Sequence, residues 1–457
     1  MTSPVTTQAG PGPAAGPGGA LSRYRDELRS VMDEAARTPS PQAGFEPAWT
    51  LPPASPALDA FFAPSTIAAH RLSPHAGTRL GLLHLMGNPR TRTTKTYASL
   101  LIVARAVDHI RRTGERVVIV TPSSANKATA LRDAVLRAYE TGLADPEHLR
   151  ILCVVPAVAA PKLWHSGLTA DPALRHANPL IVADTREPGD VKHLARSLVD
   201  NEAEPLFSRH GVRLWHTLDL RNYAVADAVR ALFERDELPA APRVHAHSVS
   251  SAFGLLGHHH GRRWATGQEY AAAGTGYLLV QHLGTPDMVS SLYHDRFDYR
   301  PRWTRQDGMF VQRDDPHFPQ RTYDPAEELD STFYTRTPVT SERMNAIIRR
   351  QGGGGIVVSL AECLDRYPYI RDLLAPTGTA LPADPRRLRE WSLVMAVTGV
   401  LNALDRSVVD TEEVLIHASG SYGTDDYRPV APADLVFLRD PAHLREVLHT
   451  MAAGRGA

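Results

Sequence analysis

The sequence predicts an α/β protein built on mostly parallel sheets, and three observations carry that expectation. Short β-branched apolar runs, such as residues 116–120 (RVVIV) and 150–155, alternate with amphipathic helical stretches such as 96–113. Glycine punctuates the change from helix to strand, as at Gly114. Strand–helix alternation needs crossover connections, which set the strands parallel and lay helices on the sheet faces.

Each element follows in order. Residues 1–20 are rich in Gly, Pro, Ala and Thr, bury too little apolar surface to order themselves, and read as a disordered tail. Residues 21–37 have helical periodicity and pass into a Pro-rich connector; 57–62 reads as a short helix. An α/β pattern starts at Arg79, with strand 81–86, helix 96–113, strand 116–120, helix 126–141, strands 150–155 and Leu180–Ala183, and helix 190–201. Residues 287–336, irregular and rich in Tyr, Arg, Asp and Pro, read as a long insertion or lid. Helix 341–350, strand 355–359, helix 386–405 and strand 413–418 complete the chain, without an internal repeat.

A length of 457 residues suffices for two or three domains. Fifty basic residues balance fifty acidic ones, so the totals disfavour nucleic acid as a partner. Cys153 and Cys363 sit in apolar stretches far apart, which predicts buried free thiols and a cytoplasmic setting. No apolar run reaches the ~20 residues of a membrane span, and the N-terminus lacks the pattern of a secretory signal. Abundant Ala, Arg, Pro and Gly fit a GC-rich bacterial genome.

Four short segments carry chemistry. In the first, Gly87-Asn-Pro-Arg-Thr-Arg-Thr-Thr-Lys95, a lysine stands where a small-residue loop opens a helix. The positive end of that helix favours the neutral amine, the form that makes an imine. The second, Ser123-Ser124-Ala125-Asn126-Lys127, lies between a strand and a helix, where backbone N–H groups and hydroxyls suit an anion; simple capping by Ser123 or Ser124 is the alternative. The third, Ala273-Gly274-Thr275-Gly276-Tyr277, precedes a stretch read as helical and allows close approach of a phosphate. Gly352–Gly355 competes for that role, but reads more simply as a turn between helix and strand. In the fourth, strand 413–418 ends in Ser419-Gly420-Ser421, a site where ligands bind in open α/β sheets.

In this order, the four segments resemble the fold-type-II pyridoxal-phosphate enzymes, the superfamily of the tryptophan synthase β-chain, cysteine synthase and threonine synthase. Asn88-Pro89…Lys95 is similar to that family's Asn-Pro-Thr-Gly-Ser-Phe-Lys loop, and Ser123-Ser124-Ala125-Asn126 to its Ser-Ser-Gly-Asn loop. Residues 398–420, TGVLNALDRSVVDTEEVLIHASG, resemble the last helix and strand of threonine synthases. The resemblance implies two parallel-sheet three-layer domains: a larger cofactor domain of residues 79–115 and 205–457 carrying the 287–336 lid, a smaller mobile domain of 116–204, and an N-terminal helical segment of 21–78. It implies pyridoxal 5'-phosphate on Lys95, with Asn126, Gly274, Thr275, Gly276, Tyr277 and Ser419 around the cofactor. Ser123, Ser124, Ala125 and Lys127 would hold the substrate, and a homodimer is the implied assembly.

The sequence also departs from the pattern. Asn88 to Lys95 is one residue longer than the motif, Thr94 replaces the aromatic before the lysine, and Ala125 replaces glycine. Lys127 adds a cation suited to an acidic substrate. The expected function is therefore a pyridoxal-phosphate-dependent lyase or transferase, carrying out β- or γ-elimination or replacement on a small amino acid. Its substrate is expected to differ from that of threonine synthase and to be, for example, one of secondary metabolism. A neutral hydroxyl such as Ser419 at the ring nitrogen suits this chemistry better than transamination. A catalytically degenerate α/β ligand-binding protein is the alternative, motivated by Ala125. A metal hydrolase built on His258-His259-His260 with His245 and His247 is disfavoured, because adjacent helical side chains point in different directions, and no metal is expected.

Overall fold

The computed structural model describes residues 18–40, 43–266 and 275–453. The tail expected over 1–20 lies outside the described residues up to 17, and Gly19–Arg23 is a short helix. Two sheets organise the chain. The first has six strands, in the order Ala68–His75, Thr78–His84, Glu413–Ala418, Arg243–Ser248, Thr275–His282 and Gly353–Val358. Only the pairing of Ala68–His75 with Thr78–His84 is antiparallel. The second sheet has five parallel strands, in the order Val436–Phe437, Leu180–Ala183, Leu149–Pro156, Arg116–Pro122 and Val212–His216.

The layers follow from alternation along each strand, because successive side chains point to opposite faces. Val117 and Ile119 pack into one apolar cluster, Val118 and Val120 into another on the far face. The first cluster holds the helices Lys95–Thr113 and Leu220–Glu237, which also receive Leu83 and Leu85 from the six-stranded sheet. The opposite face of that sheet, through Leu80, Leu82 and Ile416, packs on the helices Ser392–Asp405 and Leu360–Leu374. The far face of the five-stranded sheet is covered by Val191–His210 and Pro441–Ala453. The architecture is the expected α/β one: two three-layer units sharing a central layer of helices.

Two elements differ from the sequence reading. The helix read over 386–405 begins only at Ser392, because Leu388–Glu390 is a short strand paired with Tyr422–Gly423. The stretch after Gly276 was expected as a helix, and it is the strand Thr275–His282, buried along its whole length. Apolar Tyr277–Val280 suits either state; burial on both faces between two parallel neighbours decides for strand. The 287–336 segment is less irregular than expected, with a helix, Asp287–His294, and a small antiparallel sheet of Thr304–Gln306, Met309–Val311 and Arg321–Thr322. Both cysteines are buried and free, as expected. Among the described residues, no helix is long and apolar enough to cross a membrane.

Candidate functional site

One cavity opens at the carboxyl ends of strands from both sheets. Lining it are Thr93, Thr94 and Lys95; Ser123, Ser124, Asn126 and Lys127; the run from His247 to Leu255; Thr332 to Thr335; and Ser392 and Ser419.

The lysine loop is held by its partners rather than by regular structure. Asn88 donates to Asp133 Oδ2 (2.8 Å) and accepts from Arg137 Nη2 (3.1 Å), tying the loop to the helix Asn126–Glu140. Arg92 takes a left-handed φ of 46°, and Thr94 N–H donates to the Ser419 carbonyl at 2.9 Å. Segments more than 320 residues apart in sequence are thus joined by backbone hydrogen bonds, the Thr93 hydroxyl also donating to Ser419 O (|i−j| = 326). Lys95 then begins the helix Lys95–Thr113.

Burial lowers the pKa of Lys95; Asp227 opposes this and the Arg230 guanidinium adds to it. Its Nζ lies 5.6 Å from the Tyr223 ring centroid, and Lys127 Nζ lies 6.0 Å from the same ring. Burial, reinforced by the charge of Lys95, brings Lys127 down to about 7. Asp227, paired with Arg230 at 2.7 Å, is pushed up to about 6 by burial. Arg230 in turn donates to Thr94 Oγ1 at 2.7 Å.

The serine loop turns sharply at Ala125, the position where alanine stands in place of the motif's glycine. Ala125 has φ 87° and ψ −60°, a region that side chains other than glycine rarely adopt. Ser123 Oγ accepts from Ala128 N–H at 2.8 Å, so this hydroxyl caps the helix and Ser124 faces the cavity. The Asn126 amide is already engaged: Nδ2 donates to Glu390 Oε2 (2.7 Å) and Oδ1 accepts from the Tyr422 hydroxyl (2.8 Å). Glu390 belongs to a buried network in which Lys162 Nζ reaches it at 2.8 Å and Asp330 at 3.0 Å. Burial works against the charge of Lys162, but the two carboxylates outweigh it and its pKa is raised.

Ser419 follows the strand Glu413–Ala418, with Oγ 3.2 Å from the Ser248 hydroxyl. The described part of the glycine segment, Thr275–Tyr277, does not join it. Gly274 lies outside the described residues. Thr275, Gly276 and Tyr277 begin their strand opposite Arg243, Val244 and His245, whereas the cavity lies at the Ser248 end, three to five residues or about 10–16 Å along. None of the three lines the cavity, and Tyr277 is wholly buried with its hydroxyl 3.1 Å from His259 Nδ1. The glycines serve strand packing instead. A Cβ on Gly276 would come within 2.8 Å of the Gly352 backbone, and one on Gly353, at φ 100°, within 2.1 Å of Tyr277 O. Gly352–Gly355 accordingly forms a helix end and the start of the strand Gly353–Val358.

The loop that sequence reasoning missed is Ser248-Val-Ser-Ser-Ala-Phe-Gly254. It follows the strand Arg243–Ser248, turns through Ala252 at φ 52°, and opens the helix Phe253–Thr266 into the cavity. The signal was present: small hydroxyl residues between a strand and a helix, as at Ser123-Ser124.

The sequence profile of a family of unknown function, DUF6002, matches residues 18–452. The chain belongs to that family. No curated protein sequence matches the chain. Among solved structures, pyridoxal-phosphate-bound threonine synthase from Brucella melitensis aligns with a TM-score of 0.52 and 11% identity, over 94% of this chain and 85% of that one. Threonine deaminase isoform 2 from Solanum lycopersicum aligns with a TM-score of 0.47 and 14% identity, over 99% and 94%. Maize serine racemase aligns with a TM-score of 0.45 and 13% identity, over 87% and 94%. The DUF6002 chain has the fold-type-II architecture of the first.

Proposed function

We propose that this DUF6002 protein is a pyridoxal-phosphate-dependent enzyme that acts on a small amino acid by elimination or replacement at the β or γ carbon. The observation that carries the reading is the company of Lys95. Its amine, kept toward the neutral form by burial, shares one cavity with the Ser419 hydroxyl and with two loop–helix openings, Ser123–Asn126 and Ser248–Gly254. That donor set fits the cofactor: an amine for its aldehyde, a neutral hydroxyl for its ring nitrogen, and a helix N-terminus for its phosphate. We assign the phosphate to the Ser248–Gly254 loop, in place of Gly274–Gly276.

When bound, the cofactor supplies an electron sink for the substrate α-carbon. The chain's own residues do the rest. Lys95 would hold the cofactor's aldehyde, and its amine is placed to act as the base that removes the substrate α-proton and returns one to the product. Ser124 and the backbone of Ser123–Asn126 hold the substrate carboxylate at the start of the helix Asn126–Glu140. Lys127, and Lys192 across the cavity, face a second anionic group on the substrate, such as a phosphate or carboxylate leaving group. Thr332–Thr335 of the inserted segment cover the cavity and exclude water.

The test is chemical. Protein incubated with pyridoxal phosphate and reduced with borohydride should carry one pyridoxyl group, found on the Lys95 peptide by mass spectrometry. Lys95→Ala should abolish the label while the protein stays folded. A wild-type protein that takes no label, or takes it elsewhere, overturns the reading. A ligand-binding protein that retains the fold is the second reading, favoured by the Asn126 amide being tied to Glu390 and Tyr422. Binding of an amino acid without turnover by cofactor-loaded protein would support it.

A further inference from the structure

We propose that the chain holds a structural divalent metal ion, best matched by zinc, between Glu234, His245, His258 and His417. These residues come from four elements that share only this meeting point: the helix Leu220–Glu237, the strand Arg243–Ser248, the helix Phe253–Thr266 and the strand Glu413–Ala418. One potential ligand atom from each lies within 4.8 Å of all the others. The three imidazoles have no solvent exposure, and Glu234 is 6% exposed.

The spacing is that of ligands around a common ion. Nδ1 of His245 is 3.0 Å from Nε2 of His417 and 3.7 Å from Oε1 of Glu234, while Nε2 of His258 is 3.2 Å from the same oxygen. A tetrahedral zinc with bonds of about 2.0–2.1 Å has ligand–ligand edges of about 3.4 Å. Hydrogen bonding accounts for only part of the cluster: His245 is shared between Arg262 and Nε2 of His417. Neither ring nitrogen of His258 completes a hydrogen bond, and nor do Nδ1 of His417 or Oε1 of Glu234. Buried polar atoms without partners are costly, and several in one place mark a missing ion or water. Three neutral imidazoles and one carboxylate form a donor set that suits zinc, with no position left open for a substrate.

Arg262 argues against an ion only in its present position. Its Nη1 is 2.9 Å from Nε2 of His245, which would carry a proton once Nδ1 bound metal. The half-buried guanidinium therefore has to swing off that nitrogen when the ion enters. The neighbouring histidines take other roles. His247 stacks on His417 with centroids 4.0 Å apart and itself lines the cavity, so it separates the ion from the cavity floor. His259 turns to the Tyr277 hydroxyl. The ion would pin together the ends of the strands that present Ser248 and Ser419, and its role there is structural.

The full-length protein, stripped with chelator and titrated with zinc, should bind one equivalent per chain and unfold at a higher temperature when loaded. His258→Ala should weaken zinc binding by more than about a hundredfold, beyond the usual cost of losing an outer-shell partner; His260→Gln should bind like wild type. Cobalt in place of zinc should give the intense visible bands of a tetrahedral site, which keeps the test open should His258→Ala fail to fold. Wild-type protein that takes up no stoichiometric zinc overturns the proposal. So does wild-type affinity in both His258→Ala and Glu234→Gln, or a cobalt spectrum without tetrahedral bands. None of these outcomes depends on the cofactor reading, whose test is the label on Lys95.

Discussion

Lys127 sets the electrostatics of the cavity as much as Lys95 does. Its pKa is about 7 in the folded chain, far below an unfolded lysine, because burial and the Lys95 charge disfavour the ammonium. The folded state therefore binds fewer protons than the unfolded one between pH about 7 and 10.5, and the protein gains stability as pH rises through that window. Lys127→Met removes this contribution. The stability advantage of the variant, measured by urea unfolding, should be largest near pH 7 and shrink toward pH 10. Ala125 offers a second check. Its φ of 87° strains an alanine, so Ala125→Gly should stabilise the fold by about 1 kcal/mol in the same assay. Loss of stability would mean that the loop relaxes out of the left-handed region.

Among elements, the helix Phe253–Thr266 carries a testable consequence at its N-terminus. Its N-terminus opens on the cavity at Gly254, where an added Cβ would meet nothing within 4 Å. Gly254→Asp therefore places its Cβ without a clash, and a negative charge at a helix start stabilises the helix by about 0.3–1 kcal/mol. The same charge repels a phosphate. The variant should keep or raise the melting temperature while pyridoxal phosphate binding, followed by absorbance titration, weakens at least about tenfold. Unchanged binding would remove this loop from the phosphate assignment. The strands Thr275–His282 and Gly353–Val358 show the opposite use of glycine, in which Gly276 and Gly353 allow two backbones to pack.

Across the whole molecule, the Lys162 network joins parts that no local rule brings together. Lys162 ends a short helical turn after the strand Leu149–Pro156, Asp330 belongs to the inserted segment, and Glu390 precedes the helix Ser392–Asp405. Through Glu390 the network reaches Asn126 and, by Asn126, Tyr422. Lys162→Met would leave two buried carboxylates without their cation, and should cost about 3–5 kcal/mol in denaturant unfolding. A cost near zero would mean that water or protonation replaces the ammonium.

Local pattern was enough to determine the α/β class, the helix behind Lys95, the strand Leu180–Ala183 and the strand Glu413–Ala418 that leads to Ser419, because periodicity and turn residues are properties of neighbouring positions. Lys95, Ser124, Asn126, Lys127 and Ser419 could be singled out for the same reason: each stands where a loop meets a helix or a strand ends. Tertiary structure alone decided what lies between them. The strand Val212–His216 and the two-residue strand Val436–Phe437 join the five-stranded sheet only through long-range pairing. Thr275–His282 became a strand because its neighbours bury both of its faces, which moved Gly276 and Tyr277 to the far end of the sheet from Lys95. That Glu234 and His417 join His245 and His258 was equally invisible, since 183 residues separate Glu234 from His417 and only sheet order brings strand 413–418 beside strand 243–248.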